Sequence, residues 1–541
     1  MMSKVVEIPV GKRSARYRFF EILPFALSIG VVLGLVVASW VSPVFGAIYL
    51  LSIVIMSLVK AIGIMYRTIQ GYNTLERGHR VNWKKRLEDL ENAKESYERL
   101  AGTRSDAYEY KQHLQNLCMV AAAEDGYFPK PSEIYHAVIV TMYNESIDVL
   151  RPTFQSILDT TFDKDHMIVV LAYEERGGEA GEKVAFQLEK EFGDKFKCFI
   201  LSKHPDGIRG EVIGKGGNIT WAGKNLQQKV KEMGLKYSDV IVTTLDSDNR
   251  PHRCYFDQVA YEYIVHEDRK RLSYQPVSVF TNNIWDAPAV TRVVATTNTF
   301  WNVISSMRPH TLRNFASHSQ PLDALVEMNF WSVRTIVEDG HQYWRSYFYF
   351  DGDYEVIPIR AAMYQDAVLD DTLVKTLKAQ WVQLRRWDYG ASDVAYVGDY
   401  MCSKKRTVPK WDLFQKFVRL LDGHVTLASV SPIVAFGGWV PLLFRFESRD
   451  LLSHYLPQMV SIIQTIAALG IFVSIILSMR MLPPRPARYK KSKTIIMVLQ
   501  WVLSPFIAII YSSCAAFYSQ GRLATGRYME KFDVTVKAVK K

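Results

Sequence analysis

Two aspartates one residue apart, Asp246 and Asp248, end a short run of β-branched and apolar residues at 240–245. A run of this kind, bounded by polar turn residues, predicts a buried parallel strand. Carboxylates at the C-terminal end of such a strand lie where open α/β sheets bind ligands. Their hard oxygens suit Mg²⁺ or Mn²⁺, which takes few protein carboxylates and completes its shell with phosphate oxygens. An ordinary turn is the alternative, because aspartate also favours turns.

Polar side chains follow other predicted strands at the same end. The strand at 136–141 is followed by Tyr143, Asn144 and Glu145, and the strand at 167–172 by Tyr173, Glu174, Glu175 and Arg176. Because parallel strands end at one edge of a sheet, we expect these side chains to converge with the two aspartates. The convergence is more informative than any one motif.

A glycine-rich loop at 210–217 follows a third predicted strand, at 197–201, and precedes a helix at 218–231. It contains Lys215 but matches neither the Walker loop nor the Rossmann fingerprint. A lysine beside a helix N-terminus is suited to binding a diphosphate. The glycines are equally compatible with a simple turn.

Alternation of short apolar runs with helical patterns from residue 134 predicts a doubly wound α/β sheet. Helices are expected at 147–158 and 300–308, and a further strand at 273–280. Aromatic residues are dense between 330 and 354. We expect most of them to lie in the core or to face a bilayer, although aromatic rings also stack on sugars.

Long uncharged runs predict membrane helices. Residues 22–59 carry no charge and are long enough for about two crossings of a hydrocarbon core of about 30 Å. Ser42 and Pro43 interrupt the run, so we expect a two-helix hairpin. A signal peptide would have a shorter apolar core. Three further runs, at 423–444, 451–479 and 494–521, are each long enough to span.

The net charge of +11 comes largely from basic residues that flank these runs. This pattern is typical of the positive-inside rule and of contact with anionic lipid, and it places the polar domain in the cytoplasm. No nucleic-acid-binding motif accompanies the charge. Five scattered cysteines predict no disulfide framework and indicate a reducing compartment.

Three C-terminal crossings would put the C-terminal tail outside, whereas the basic residues of the tail favour the inside. We therefore expect either that one of the three runs is re-entrant or that the sequence contains a further, unrecognised entry helix.

Five motifs in order resemble the inverting family 2 glycosyltransferases of GT-A fold, and in particular the membrane synthases of cellulose, chitin and hyaluronan. They cover about residues 136–390 and are specific only as a set. The family's Thr-Glu-Asp is represented with valine in first position, which retains the acidic pair, and the last motif fits Gln-x-x-Arg-Trp. The motifs are Tyr143-Asn144-Glu145, Lys215-Gly216-Gly217-Asn218, Asp246-Ser247-Asp248, Val337-Glu338-Asp339 and Gln383-Leu384-Arg385-Arg386-Trp387.

The resemblance implies a role for each position. Asp339 would be the general base of the catalytic pair that it forms with Glu338. A carboxylate with a raised pKa suits removal of a proton from the acceptor hydroxyl. Asp246 and Asp248 would bind Mg²⁺ or Mn²⁺ and the diphosphate. The nucleotide sugar would contact Tyr143, Glu145, Glu174, Lys215 and Asp246, with Glu175 as the alternative to Glu174. The acceptor channel and diphosphate would be bordered by Gln383, Arg386 and Trp387.

The predicted organisation has six parts. They are a basic segment with the hairpin (1–66), an amphipathic helical linker (67–133), the GT-A domain (134–400), an interface helix (401–424), a C-terminal membrane region (425–521) and a basic tail (522–541).

The resemblance implies an inverting, metal-dependent transfer from a nucleotide sugar, expected to be a UDP-sugar, to a growing polysaccharide with export across the cell membrane. Single-sugar transfer to a lipid carrier such as a polyprenyl phosphate is the same-class alternative. A non-catalytic membrane scaffold or transporter is the alternative from another class, and a nucleic-acid binder is disfavoured because the membrane flanks account for the charge.

Overall fold

The structure is a computed structural model that describes residues 5–444 and 451–531. Two long helices open the chain, α1 (Ala15–Val41) and α2 (Pro43–His79). Ser42 joins them and caps α2, and Pro43 begins it, where a missing N–H is tolerated. The two helices pack against each other, and α2 continues far beyond the apolar run. Its 37 residues extend about 55 Å, so its end reaches the α/β domain.

Three linker helices follow, α3 (Trp83–Glu91), α4 (Ala93–Ala101) and α5 (Tyr110–Ala122). They carry an apolar face that includes Trp83, Leu87 and Leu117, which are buried in the core of the α/β domain. The linker helices therefore pack on the α/β domain.

An eight-stranded mixed sheet forms the centre of the molecule, in the order β3-β2-β1-β4-β7-β6-β8-β5. The first four strands in this order are parallel to one another. β7 runs antiparallel to β4 and β6, whereas β8 is parallel to β6. The strands are β1 (Tyr135–Met142), β2 (Met167–Glu174), β3 (Cys198–His204), β4 (Val240–Leu245), β5 (Arg250–Pro251), β6 (Leu272–Val279), β7 (Ser319–Pro321) and β8 (Glu355–Tyr364).

Strand β1 lies at the topological switch point, because the chain moves from it to β2 and β3 on one side and then returns to β4 on the other. Successive residues of β1 enter two separate cores: Val138 and Val140 pack on one face, Ala137 and Ile139 on the other. Burial on both faces explains why the strand is continuously apolar. The crevice beyond the C-terminal ends of β1 and β4 is where such sheets bind ligands.

Helices cover both faces of the sheet, which confirms the predicted doubly wound α/β class with flanking membrane-length helices. They are α6 (Ile147–Leu158), α7 (Gly178–Phe192), α8 (Lys215–Glu232), α9 (Tyr255–Val265), α10 (Ala289–Ser306), α11 (Leu322–Glu327), α12 (Glu338–Tyr349), α13 (Leu373–Asp388) and α14 (Ser392–Met401).

Some predicted boundaries differ from those observed. α8 begins at Lys215 rather than at 218, and α10 begins at Ala289 rather than at 300. Strand β8 escaped prediction because Pro358 interrupts its pattern, and its pairing with β6 shifts register between Gln275 and Val277. The dense aromatic stretch is mostly core, since Trp331, Trp344 and Tyr347 are almost fully buried.

The C-terminal region is helical almost throughout. Helix α15 is continuous from the expected interface segment into the first C-terminal apolar run, and α17 packs beside α2. The helices are α15 (Lys410–Phe436), α16 (Val440–Leu443), α17 (Leu451–Met481), α18 (Ser492–Leu499), α19 (Ser504–Ile507) and α20 (Cys514–Ala524), with short 3-10 and π turns joining the last three. The predicted tail lies partly outside the described residues, beyond 531.

Four stretches of the described chain are long and apolar enough to cross a membrane, Ala15–Val41, Pro43–His79, Lys410–Leu443 and Ser492–Ala524. Length and composition alone define this set.

Candidate active site

One ammonium group joins three of the predicted site residues. Lys215 Nζ lies 2.9 Å from Asp246 Oδ1 and 3.0 Å from Asp339 Oδ2, and 3.8 Å from Glu338 Oε1. The acid pair comes from a segment far along the chain, since Asp339 is 124 residues after Lys215. The structure therefore brings the third, fourth and second motifs together at the carboxyl edge of the sheet.

The N-terminus of α8 places Lys215 at this edge. Gly214 precedes the helix in an extended conformation, and Gly216 lies in its first turn. A Cβ at Gly216 would come within 2.5 Å of the Ser332 carbonyl oxygen, so only glycine allows the helix to approach that loop this closely. The glycine-rich loop thus brings a helix N-terminus, with its unpaired N–H groups, to the ligand edge.

The acidic pair begins α12, so both carboxylates lie where the positive end of the helix dipole stabilises them. The two differ in access: the side chain of Glu338 is 2% exposed and that of Asp339 is 19% exposed. Glu338 Oε2 has no hydrogen-bond partner. Asp339 is therefore the acid that a second substrate can reach.

Electrostatics follow from this burial. Burial alone would lower the pKa of Lys215, but Asp246, Asp339 and Glu338 outweigh it and raise that pKa well above its usual range. Burial, with a smaller effect of Asp339, raises the pKa of Glu338, and Lys215 opposes the shift. The lysine is thus firmly cationic, and the charge of Glu338 is the one most weakened.

Asp248 is fixed beside this cluster. Its Oδ2 accepts the Asp366 N–H at 2.9 Å, and its backbone carbonyl accepts from the Asn282 amide at 3.0 Å. Asp248 is buried, whereas Asp246 is 34% exposed on its side chain. One carboxylate of the Asp-x-Asp pair is thereby held rigidly and the other faces the crevice.

The ends of β1 and β4 are tied together through Glu145. Its carboxylate accepts the Tyr143 N–H at 2.7 Å and the Ser247 hydroxyl at 3.1 Å. The Ser247 carbonyl in turn accepts from the Thr153 hydroxyl of α6 at 2.7 Å. This network fixes the crevice at the switch point, next to the Asp-x-Asp pair.

The end of β2 lines the same crevice. Glu174 is buried and pairs with Arg176, whose guanidinium lies 4.9 Å from the centre of the Tyr143 ring. Burial raises the pKa of Glu174, and Arg176 opposes that shift. Glu175 instead accepts the N–H of Asp206 on the surface at 3.0 Å. Of the two candidates, Glu174 is the one that faces Tyr143.

The last motif lies on α13. Gln383 accepts a hydrogen bond from Gln380 at 3.0 Å, and the Trp387 ring centre is 6.2 Å from that of Phe280. Asn282, two residues after Phe280, donates to the backbone carbonyl of Asp248. Trp387 is 36% exposed and therefore not a core residue. Arg386 lies one position before it, on the last turn of α13.

Arg176 is among the residues expected at the end of the second predicted strand. Two other residues near the site were not singled out from the sequence, Asp366 and His318. Asp366 follows strand β8 as Asp246 follows β4, so recognition of β8 would have identified it. His318 Nδ1 lies 3.9 Å from Asp339, but it also approaches the Phe315 carbonyl at 2.8 Å, and burial lowers the pKa of His318. No sequence pattern marks it.

The donor set at this edge fits a divalent cation that arrives with a phosphate. Three carboxylates, from Asp246, Glu338 and Asp339, lie around one lysine, and Asp248 follows two residues after Asp246, so the edge is rich in acidic groups. Among the described residues, no group of three or more His, Cys, Asp or Glu side chains is arranged to hold a metal by itself. Mg²⁺ typically takes one or two carboxylates and fills its shell with substrate phosphates and water.

No family model and no curated protein matches the sequence. Among solved structures, the mannosyltransferase PcManGT from Pyrobaculum calidifontis in complex with GDP-Man and Mn²⁺ is similar at a TM-score of 0.39 and 12% identity, over 77% of this chain and 98% of that chain. TarS 1–349 of S. aureus in complex with UDP-GlcNAc gives 0.35 and 10%, over 73% and 93%. GalNAc-T7 with UDP, GalNAc and Mn²⁺ gives 0.29 and 10%, over 53% and 55%. Scores this low do not define a shared function.

Fold and site together define a class: an α/β protein with membrane-length helices on both sides and an acidic, lysine-bridged crevice at the switch point of its sheet.

Proposed function

We propose that the chain is a membrane glycosyltransferase of GT-A fold that transfers a sugar from a nucleotide sugar, with inversion and with a divalent metal, to a growing polysaccharide. The observation that carries this proposal is the sharing of Lys215 between Asp246 and Asp339. It brings a diphosphate-binding carboxylate and an accessible base within reach of one another. The order of the five motifs supports the same function.

The donor would bind across the switch point. Its nucleoside would lie against Tyr143, Glu145 and Glu174, and its diphosphate against Lys215 and the N-terminus of α8. Asp246 and Asp248 would hold Mg²⁺ or Mn²⁺, which supplies positive charge to the leaving diphosphate.

Asp339 would act as the base. Its carboxylate is accessible, so it can accept the proton of the acceptor hydroxyl as that oxygen attacks the anomeric carbon. The bond to the diphosphate breaks as the new glycosidic bond forms, and a single displacement inverts the anomeric centre. Glu338 is too buried to meet an acceptor, so its role in this proposal is to hold Lys215.

Replacement of Asp339 tests the catalytic proposal. With purified full-length protein and a panel of UDP- and GDP-sugars, Asp339→Asn is expected to lower turnover at least about 100-fold, because general-base catalysis is lost. Donor affinity, measured by calorimetry, is expected to stay within a few fold. Asp194→Asn, on the exposed surface, is the matched control. Full turnover in Asp339→Asn would favour the scaffold or transporter instead.

The length of the product tests whether the protein synthesises a polysaccharide. Several sugars added per acceptor are expected, and the anomeric configuration of the product, read by NMR, is expected to be opposite to that of the donor. If only one sugar is added and the product partitions wholly into organic solvent, the result would contradict polymer synthesis and support single-sugar transfer to a lipid carrier.

Metal dependence is tested separately. Removal of divalent ions with EDTA is expected to abolish transfer, and Mn²⁺ or Mg²⁺ to restore it. Asp248→Asn is expected to raise the metal concentration needed for half-maximal activity. Undiminished transfer in EDTA would contradict the metal role of Asp246 and Asp248.

A further inference from the structure

A second polar cavity lies away from the crevice, between the linker helices and the α/β domain. We call it the linker–domain cavity. Its volume is about 420 Å³, within the range of small-molecule sites. Helices α3 and α5 form one wall, and α9 and β8 the other. The residues that matter here are Arg86, Glu109, Gln258, Glu262, His266 and Arg360.

Two guanidinium groups face this cavity without an ionic partner. Arg86 is 7% exposed, donates to the Tyr108 carbonyl and lies 5.1 Å above the Trp83 ring. Arg360 donates to the Ser306 carbonyl at 2.6 Å. Within the described part of the chain, neither guanidinium forms an ion pair with a carboxylate. Buried charges are normally paired, because leaving one unpaired is costly.

The two acids of the cavity, Glu109 and Glu262, act on these arginines only from beyond ion-pair distance. The Glu262 carboxylate instead lies 3.8 Å from His266 Nδ1. Glu109 remains the one other carboxylate at the wall, against two arginines. The arginine side of the cavity therefore favours an anion.

One buried hydrogen-bond acceptor at this cavity, the side-chain carbonyl of Gln258, also has no donor. Gln258 is 1% exposed, and its Oε1 has no hydrogen-bond partner. A buried carbonyl without a donor costs about 1–3 kcal/mol, so native structures rarely leave one empty. A ligand with an N–H or O–H at the end opposite its anion would satisfy it.

We propose that the linker–domain cavity binds a small oxyanion-bearing molecule, with its phosphate or carboxylate held by Arg86 and Arg360 and its donor groups by Gln258. Guanidinium groups recognise either oxyanion through paired N–H groups. The site is independent of the proposed sugar transfer and shares no residue with the crevice.

The proposal takes the source of this oxyanion to be a soluble molecule and not a membrane lipid. The cavity adjoins the end of α2, where Trp83 Nε1 donates to the Gly78 carbonyl at 2.9 Å. From Lys60, at the end of the apolar run, to Gly78 the helix rises about 27 Å. A headgroup at the bilayer surface does not extend that far, so the ligand is a soluble molecule.

Anion titrations of full-length protein in nanodiscs of zwitterionic lipid test the proposal. Inorganic phosphate and succinate are titrated separately by calorimetry, with chloride at matched ionic strength as the reference. We expect saturable binding of at least one, and Arg86→Gln and Arg360→Gln each to weaken it about tenfold or more. Arg151→Gln, which breaks an exposed pair with Glu191, is the matched control and is expected to change nothing.

The Lys215→Met variant distinguishes anion binding at the crevice from anion binding in the linker–domain cavity. Anion binding that persists in Lys215→Met and is weakened by Arg360→Gln belongs to the linker–domain cavity. Arg360 is only half-buried, so its variant decides the matter if Arg86→Gln does not fold. Absence of saturable binding, or binding unchanged in folded Arg360→Gln, would overturn the proposal, whatever the outcome for sugar transfer.

Discussion

At the residue scale, the site is governed by one cation among several carboxylates. The carboxylates at this edge would otherwise repel one another and a diphosphate, and Lys215 neutralises part of their charge. Because Lys215 is buried, its interactions with Asp246 and Asp339 are stronger than they would be in water. Asp339 combines this contact with access to solvent. That combination of a fixed position and an open face is what the general base of the proposed sugar transfer requires.

Another buried acid, Asp257 of α9, makes stability depend on pH. Burial raises its pKa to about 6, and the Thr161 hydroxyl and two lysines oppose the shift. The folded chain thus binds more protons than the unfolded chain between about pH 4 and pH 6. Stability is expected to fall as pH rises through that window, by on the order of 2 kcal/mol.

Thermal unfolding of Asp257→Asn between pH 4 and pH 7 measures this contribution. The asparagine keeps an acceptor for Thr161 but has no proton to lose, so the decline with pH is expected to be smaller than in the wild type. Asp194→Asn provides the exposed control. Identical pH profiles for wild type and Asp257→Asn would show that Asp257 contributes nothing.

At the element scale, close approach of helix ends builds the crevice. The first turn of α8 packs against the loop at Ser332, and the first turn of α12 presents the acids opposite it. The contact tolerates no extra atoms at Gly216, whereas Gly340 of α12 has open space around it.

Two glycine variants distinguish these surroundings. Gly216→Ala is expected to cost about 1–3 kcal/mol, since its Cβ would lie 2.5 Å from a backbone oxygen, and to weaken donor binding. Gly340→Ala is expected to be neutral or slightly stabilising, because its Cβ would meet nothing nearer than Asn314 O at 4.0 Å and alanine favours helix. Thermal midpoints and donor titrations check both. Equal stability in the two variants would refute the packing argument.

Helix α1 also holds the C-terminal segment. Glu21 is 1% exposed and accepts from Arg13 and Arg18, and from the Tyr528 hydroxyl at 3.0 Å. Arg18 further donates to the Leu523 and Ala524 carbonyls at 2.9 and 2.7 Å. One buried carboxylate thus connects both ends of the described chain.

Glu21→Gln is expected to release the C-terminal segment and to destabilise the protein by about 3 kcal/mol, because two partly buried arginines lose a fully buried charge partner. Faster trypsin cleavage after Arg527 would report the release. Asp399→Asn breaks another arginine pair of α1, with Arg16, that is exposed, so it is expected to cost less than about 1 kcal/mol. Unchanged cleavage in Glu21→Gln would disprove the coupling.

At the scale of the whole molecule, the long C-terminal stretch Ser492–Ala524 contacts the α/β domain along its length. Trp501 stacks on Phe300, Tyr511 contacts Trp381, and Ser519 donates to the Arg385 carbonyl at 2.6 Å. The same stretch also contacts the membrane-length helices, since Gln520 donates to the His424 carbonyl of α15 at 2.9 Å and accepts from Ser28 of α1 at 2.8 Å. The re-entrant run, with a tail on the side of the α/β domain, therefore stays a prediction.

Cysteine labelling in oriented vesicles tests this topology. A membrane-impermeant maleimide is expected to label Thr525→Cys from the same side as native Cys402, which is exposed, and Ser42→Cys from the opposite side. The other native cysteines are replaced by serine in all three proteins. Labelling of Thr525→Cys together with Ser42→Cys would place the tail across the membrane.

The sequence predicted much of the architecture because the signals are local. Strands β1 to β4, helix α6 and the hairpin follow from runs of apolar residues and their period, and these patterns survive packing. The carboxylates at strand ends were also evident. Strand β8 was not, since Pro358 and a register shift hide its pattern, and Asp366 was missed with it.

What the sequence by itself determined is the kind of chemistry on offer: hard oxygen ligands, a lysine at a helix start and an acidic pair, beside membrane helices. Only the tertiary structure decided that Lys215 binds both Asp246 and Asp339, and that Asp339 and not Glu338 reaches solvent. It also decided that two arginines without an ion pair in the described part of the chain line the linker–domain cavity. The physical reason is distance. Local patterns fix each element, but contacts between side chains more than a hundred residues apart depend on strand order and on how closely helix ends can pack.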